Sequence, residues 1–503
     1  MSTNLGLSEK TTVGITKQKE ELRRSLQARH MNMIAIGGAI GTGLFLASGG
    51  SLASAGPGGA VMAFAITGIM VYFTMTSLGE MATYMPISGS FETYATRFID
   101  PALGFALGWN YWLSWASVLA VEMIAGAMIM KYWFPDTPAS LWSGIFLILL
   151  FGLNMLSTRA YGESEYWFAG IKVVTCVVFL LVGLGLIMGL GGKAPGFSNW
   201  VIGDAPFVSG FGGFFSVLMI AGFSFQGTEM VGIAAGESEN PEKNVPKAIS
   251  NVFWRIMLFY VGSLIVIGFL LPYTDENLVK SGIDNVAVSP FTLVFEHAGF
   301  AVAASVLNAV LLTAVLSCAN SGLYASTRML YAMAKEGKAP AVLGQVNSRG
   351  VPANALIFTT IFGLGCFLTS FVGEGTAYIW LLNITGVIGF IAWLGIGLVH
   401  YRFRKAFVAQ GKDLGMLKYK ALCFPFGPIF TIALCAVVIL GQNYNAFIGK
   451  IDWTGAAASY IGIPFFLILW LGYKYTKKTK VIPLMEVDLS PAVAYKKDEN
   501  LLD

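Results

Sequence analysis

The 503-residue chain is 55% hydrophobic and only 12% charged, whereas soluble domains carry about 25% charged residues. So little charge cannot cover a water-facing surface of this size, and the sequence reads as an all-α polytopic membrane protein. A net charge of +4 carries no nucleic-acid signal.

The first thirty residues are polar and basic and show no signal-peptide pattern with a cleavage site. Residues 1–30 are therefore expected to be a cytoplasmic arm. Twelve apolar segments follow, at 31–50, 58–83, 104–130, 139–157, 165–190, 208–237, 250–272, 295–333, 354–372, 377–400, 424–441 and 459–473. A bilayer core needs about 20 residues per helical span. Lipid leaves no partner for unpaired backbone groups, so each is predicted to be a helix. With the N-terminus inside, the inside segments hold Arg23, Arg24, Arg29, Lys243, Lys247, Arg328, Lys335, Arg402, Arg404, Lys405, Lys477 and others. The outside loops then hold only Lys131, Lys193, Lys280 and Lys450. That asymmetry predicts both termini in the cytoplasm.

Segment one contains "IGTGLFLASG" and segment six contains "QGTEMVGIAAG". Each pairs Gly-Thr with a later small-small-Gly triplet. Five spans per unit would set the second unit upside down relative to the first, and paired Gly-interrupted spans point to a transport site. The expected organisation is a first repeat over 31–190, a second over 208–401, two further spans over 424–475 and a cytoplasmic tail over 476–503.

Gly37, Gly38, Gly41 and Gly43 weaken the middle of segment one. Close helix packing is one reading. The other is a break at "GTG", residues 41–43, that frees N–H groups toward a carboxylate and carbonyls toward an ammonium, as a zwitterionic amino acid requires. "SFQGTE", residues 224–229, repeats the device and contains Gln226. Tyr111, Phe223 and Phe225 would face such a pocket.

Charges inside spans are costly and need a reason. Glu122 lies deep in "SVLAVEMIAGA", Glu229 follows the second break, and Lys172 lies in "FAGIKVVTCVV". A structural partner competes with function for each, most of all for Glu80 and Glu237 near span ends. A fixed ammonium at Lys172 can take the place of a sodium ion and act as the switch of a proton-driven carrier. Segment eight adds Ser317, Asn320 and Ser321. The five cysteines and three histidines show no metal-ligand spacing, so no metal or cofactor is expected. There is no nucleotide-binding loop and no HExxH, and enzyme activity has no support.

"AGPGGAVMAFAITGIMVYFTMTSLGEMATYMPISGSF" (55–91), "GFALGWNYW", "GFSFQGTEMVGIAAGESENPEKNVPKAI" and "YASTRMLYAMAKEGKAP" resemble the amino acid permeases of the amino acid–polyamine–organocation superfamily, over about residues 20–475. "LPYTDENL", "VSPFTLVFEHAG" and "WLLNITGVIGFIAWLGI" are most similar to the bacterial lysine-carrying branch of that family. The resemblance implies twelve spans in a leucine-transporter-type five-plus-five inverted repeat with two added helices. It implies proton-coupled uptake of L-lysine by alternating access across the bacterial inner membrane. It places the α-carboxylate on Gly41, Thr42 and Gly43 and the α-amine against carbonyls around Ala39 and Phe223, with Phe223 as a gate. It gives Lys172 the proton-coupling role, with neighbours near Gly38 and Ser321. Glu122 and Glu229 both remain open as partners of the side-chain ammonium. The alternatives are another substrate, such as arginine or an aromatic amino acid, and a lysine-binding membrane sensor that reports to a regulatory partner.

Overall fold

The computed structural model describes residues 22, 24–38, 40–190, 192, 194–280, 289–297, 299, 303–448 and 453–490. Among the described residues the regular structure is helical, and one parallel β-bridge joins Leu26 to Ser238. The helices are α1 (Ala28–Gly37), α2 (Thr42–Phe45), α3 (Ala47–Tyr84), α4 (Phe91–Phe98), α5 (Pro101–Met130), α6 (Ala139–Leu156) and α7 (Thr158–Ile187). Next come α8 (Gly210–Phe225), α9 (Met230–Ala234), α10 (Pro241–Arg255), α11 (Gly262–Leu270), α12 (Glu276–Lys280), α13 (Pro290–His297) and α14 (Ala303–Lys335). The last are α15 (Ala353–Gly363), α16 (Thr369–Val372), α17 (Glu374–Ala409), α18 (Phe426–Gly441), α19 (Trp453–Tyr460) and α20 (Gly462–Lys477).

Nine helical stretches among the described residues are long and apolar enough to cross a membrane. The other three expected spans fall on divided or shorter helices: α1–α2 with the start of α3, the 16-residue α18, and the 16-residue α20.

Helix α5 is the hub. Its apolar stretch is 83% buried, against 33% for α6 and 28% for α7. It packs on α14, α17, α20, α4 and α6. Its start is well specified, because Asp100 caps it by accepting from the Ala102 amide at 2.9 Å and Pro101 occupies the first turn. Peripheral α7 turns one stripe inward: Tyr161, Glu165, Ala169, Lys172, Cys176 and Phe179 are buried at helical spacing. Trp167, Val174 and Leu181 point outward and are exposed, as lipid-facing residues are.

Two regions depart from simple spans. The expected gap between segments one and two is bridged by α3, which kinks at Gly56 (φ 73°) and continues through Pro57. The Pro206 carbonyl accepts from the amides of Gly58 and Gly59 at 2.9 and 3.2 Å, and Val208 donates to the Ala55 carbonyl at 2.9 Å. At the other end of the chain, residues 481–490 lie pinned against the bundle. The Ile482 amide donates to the Ile99 carbonyl at 2.8 Å, Tyr84 donates to the Leu489 carbonyl at 2.7 Å, and Gln410 donates to the carbonyls of Leu484 and Val487 at 3.0 and 2.7 Å.

Candidate functional site

The glycines of segment one do interrupt it. α1 stops at Gly37, Gly41 is non-helical (φ −145°, ψ −149°), and α2 restarts at Thr42. Segment six is interrupted likewise. α8 stops at Phe225, Gln226 is extended (ψ 145°), Gly227 takes φ 94°, and α9 restarts at Met230. That positive φ suits glycine and strains a residue with a Cβ. The two interruptions touch. A Cβ on Gly43 would stand 2.5 Å from the Ser224 Cα, so only a glycine lets α2 approach α8 this closely. Each interruption leaves helix-end amides and carbonyls without intrahelical partners.

Between them lies a small cavity lined by Gly41, Thr42, Gly43, Trp115, Val118, Glu122, Phe223, Ser224, Gln226 and Cys318. Among the described residues its one acidic side chain is Glu122. Oε1 of Glu122 accepts from the Thr42 hydroxyl at 3.3 Å; Oε2 is buried with no oxygen or nitrogen donor among the described residues, and the weakly donating Cys318 thiol lies against the carboxylate. A buried carboxylate oxygen without a strong donor carries a desolvation cost that a donor or a cation placed there would offset.

Phe223 and Gln226 also line the cavity, and Gln226 donates to the Thr385 carbonyl at 3.2 Å. Three other expected site residues stand behind its wall. Glu229 accepts from the Tyr111 hydroxyl at 3.2 Å, from the Trp393 indole at 3.0 Å and from the Gly227 amide at 3.2 Å. Its carboxylate thus ties the second interruption to α5 and α17. Phe225 packs on Phe64 and Tyr260, with ring centroids 5.8 and 4.5 Å away. Ala39 lies outside the described residues.

Lys172 is fully buried, and its ammonium donates to Ser317 Oγ at 2.8 Å. The Ser317 hydroxyl in turn donates to Glu165 Oε1 at 2.6 Å, and Lys172 Nζ stands 3.9 Å from that same oxygen. Ser321 is one turn further along α14, with its hydroxyl 3.3 Å from that of Tyr161. Of the two adjacent glycines, Gly37 abuts α7, where a Cβ would fall 2.2 Å from the Cβ of Ala169. A Cβ on Gly38 would meet the Ile34 carbonyl of its own helix.

Glu165 is the residue that sequence reasoning passed over. Its signal was its spacing, since seven residues are two turns and place it on the face of Lys172. Arg255 was passed over too. It is buried and donates to the Ala35 carbonyl at 2.5 Å and to the Thr228 hydroxyl. Nothing in the local sequence indicates those two acceptors.

The amino acid permease family model matches residues 30–483. This chain belongs to the amino acid permease family. The lysine-specific permease LysP of Escherichia coli K12 is 55% identical over 475 residues, covering 94% of this chain and 97% of that protein. LysP of Lactococcus lactis is 51% identical over 477 residues, covering 93% of each chain. The histidine permease HisP of the same Lactococcus lactis strain is 50% identical over 476 residues, covering 94% of this chain and 99% of that one. A multi-pass membrane permease therefore fits both the apolar helices and the relatives.

Proposed function

We propose that this permease imports L-lysine together with protons by alternating access across a bacterial inner membrane. In this reading it has twelve spans, a five-plus-five inverted repeat and both termini in the cytoplasm. One observation carries the substrate assignment: Glu122, whose second carboxylate oxygen is buried without an oxygen or nitrogen donor among the described residues, lines the cavity between the two interrupted helices. The restarting amides at Gly41, Thr42 and Gly43 suit the substrate's α-carboxylate. The carbonyl ends at the interruptions, including that of Phe223, suit the α-amine. Glu122 then takes the ε-ammonium, and Phe223 gates the cavity. Glu229, tied to three donors, holds the second interruption in shape, with Tyr111 as one of its anchors. Lys172 carries the proton switch. Import of a cation also gains about 2.3 kcal/mol per 100 mV of inside-negative potential.

The similarity to a histidine permease, close to that to the second lysine permease, makes histidine a substrate to be tested beside lysine. Reconstitution in liposomes separates the readings. Uptake of labelled lysine driven by an outside-acid gradient and displaced by unlabelled lysine is the expected result. Uptake indifferent to the gradient would sink proton coupling. Stronger displacement by histidine, arginine or phenylalanine would reassign the substrate, and binding without uptake would favour a sensor.

A further inference from the structure

The Lys172–Ser317–Glu165 group has the form of a relay. The ammonium donates to the serine oxygen at 2.8 Å, and the serine hydrogen already points at the carboxylate at 2.6 Å. All three side chains are fully buried. The second oxygen of Glu165, Oε2, has no close hydrogen-bond partner among the described residues, with Ser321 and Asn320 as the polar side chains beside the carboxylate. We propose that Glu165 is the proton-accepting partner of Lys172, with the Ser317 hydroxyl passing the proton between them. The proposal rests on Lys172 being the coupling residue.

The step balances within the group. One N–H proton passes from Lys172 Nζ to Ser317 Oγ as the serine O–H proton passes to Glu165 Oε1. An ammonium–carboxylate pair becomes an amine and a carboxylic acid, and the net charge stays zero. Desolvation penalises the ionic form of such a buried pair, which brings the two forms closer in energy than they are in water. No charge is created in the membrane interior, so the switch can turn without moving an uncompensated charge. The group is well isolated. The other titratable side chains facing Lys172 are Cys176 from α7, Cys318 from α14 and Glu122 from α5. Against Glu165 lie Ser321 and Asn320 of α14 and Tyr161 of its own helix. Helix α1 contributes Gly37 against Ala169 and no titratable group at that level. Glu122 links the relay to the cavity. A substrate ammonium seated there adds positive charge near Lys172 and works against its ammonium form.

The test compares wild type, Glu165→Gln, Glu165→Asp and Ser317→Ala in proteoliposomes. Two readouts are taken: lysine counterflow at equal pH, and accumulation driven by a pH gradient. Glu165→Gln is expected to keep counterflow within about threefold while gradient-driven accumulation falls about tenfold or more and its pH profile flattens. Ser317→Ala keeps both charges and is expected to show the same split. Glu165→Asp is expected to restore part of the coupling. Gradient-driven accumulation by Glu165→Gln at the wild-type level and with the wild-type pH profile would overturn the proposal. If that variant does not fold, normal accumulation by Ser317→Ala overturns it instead. A wild type that shows counterflow but ignores the gradient refutes coupling altogether, which is a distinguishable failure.

Discussion

The guanidinium of Arg255 donates to the carbonyl oxygen of Ala35 at 2.5 Å, two residues before α1 ends, and also bonds the Thr228 hydroxyl within the second interruption. One side chain on α10 therefore ties both interrupted helices together. It does so from the residue just before a π-helical stretch, Ile256–Val261, a kind of bulge found often at functional sites. Arg255→Met should cost about 1.5–3 kcal/mol, the usual range for hydrogen bonds to a charged group. Arg255→Lys can reach only one acceptor and should recover about half. Unfolding midpoints of purified protein in detergent measure this, and an unchanged midpoint for Arg255→Met would mean the two helices are held by other means.

Glu122 and Glu229 are both buried carboxylates, but their surroundings predict opposite responses to amidation. Glu122→Gln removes a charge whose second oxygen has no oxygen or nitrogen donor among the described residues. It should leave stability unchanged or raised, and weaken lysine binding by about 2 kcal/mol or more, roughly thirtyfold in Kd. Glu229→Gln must turn its NH₂ toward a set of donors: Tyr111, Trp393 and Gly227. It should lose about 1–3 kcal/mol of stability. Melting curves with and without lysine distinguish the two. A stable Glu229→Gln with lost lysine binding would move the ammonium site to Glu229.

Two neighbouring glycines differ in what they tolerate. Gly43→Ala would drive its methyl to 2.5 Å from the Ser224 Cα, whereas a methyl on Gly41 would stand 3.6 Å from Cys318, an ordinary contact. Gly43→Ala should lower stability by about 1–3 kcal/mol, the usual cost of overpacking. Gly41→Ala should fold normally and weaken substrate binding by narrowing the cavity. Equal stability of the two variants would contradict the close approach of α2 to α8.

The pinned tail has its own pH signature. Burial raises the Asp488 carboxyl, but hydrogen bonds from Ser490 and Arg97 outweigh it and bring it down to about 2, from 3.8. Because the folded value is depressed, the hold it provides is complete above the unfolded value and is lost as pH falls toward 2. Proteolytic protection of residues 481–490 should therefore be constant through the neutral range. Asp488→Asn should shorten it at neutral pH, and cleavage rates of the tail read this directly.

The sequence exposes the site where chemistry and backbone rules coincide. Glycines in "GTG" and "FQGTE" announce interrupted helices because they weaken an apolar span, although Gly43 also serves close packing against Ser224. Glu122 and Lys172 stand out because each is a charge in an apolar run. Glu165 was hidden by a boundary. The fifth segment was expected to begin at 165, but Ser157 caps α7 by accepting from the Ala160 amide, and the helix begins two turns earlier. Glu165 thus appeared to lie at a span end, where a carboxylate needs no explanation. The partners of Glu229 could not be read at all. Trp393 and Tyr111 come from α17 and α5, and only tertiary packing aims them at one carboxylate. The tail's apolar run at 481–485 is too short to span a membrane, and only the bundle supplies the surface that buries Val487 and Leu489.

The kink at Gly56 has a mechanical consequence. Past the first interruption, the chain kinks within one helix and is clamped by backbone bonds to Pro206 and Val208. Before it, α1 is a ten-residue rod. At its free end Leu26 makes two amide bonds, with Glu237 and Glu239, and along its side it is tied by the Arg255 guanidinium. A clamped kink and a short rod therefore flank the first interruption. The backbone bonds of Leu26 and the Arg255 guanidinium are thus the contacts that any swing of α1 must break, while the bonds to Pro206 and Val208 can stay intact.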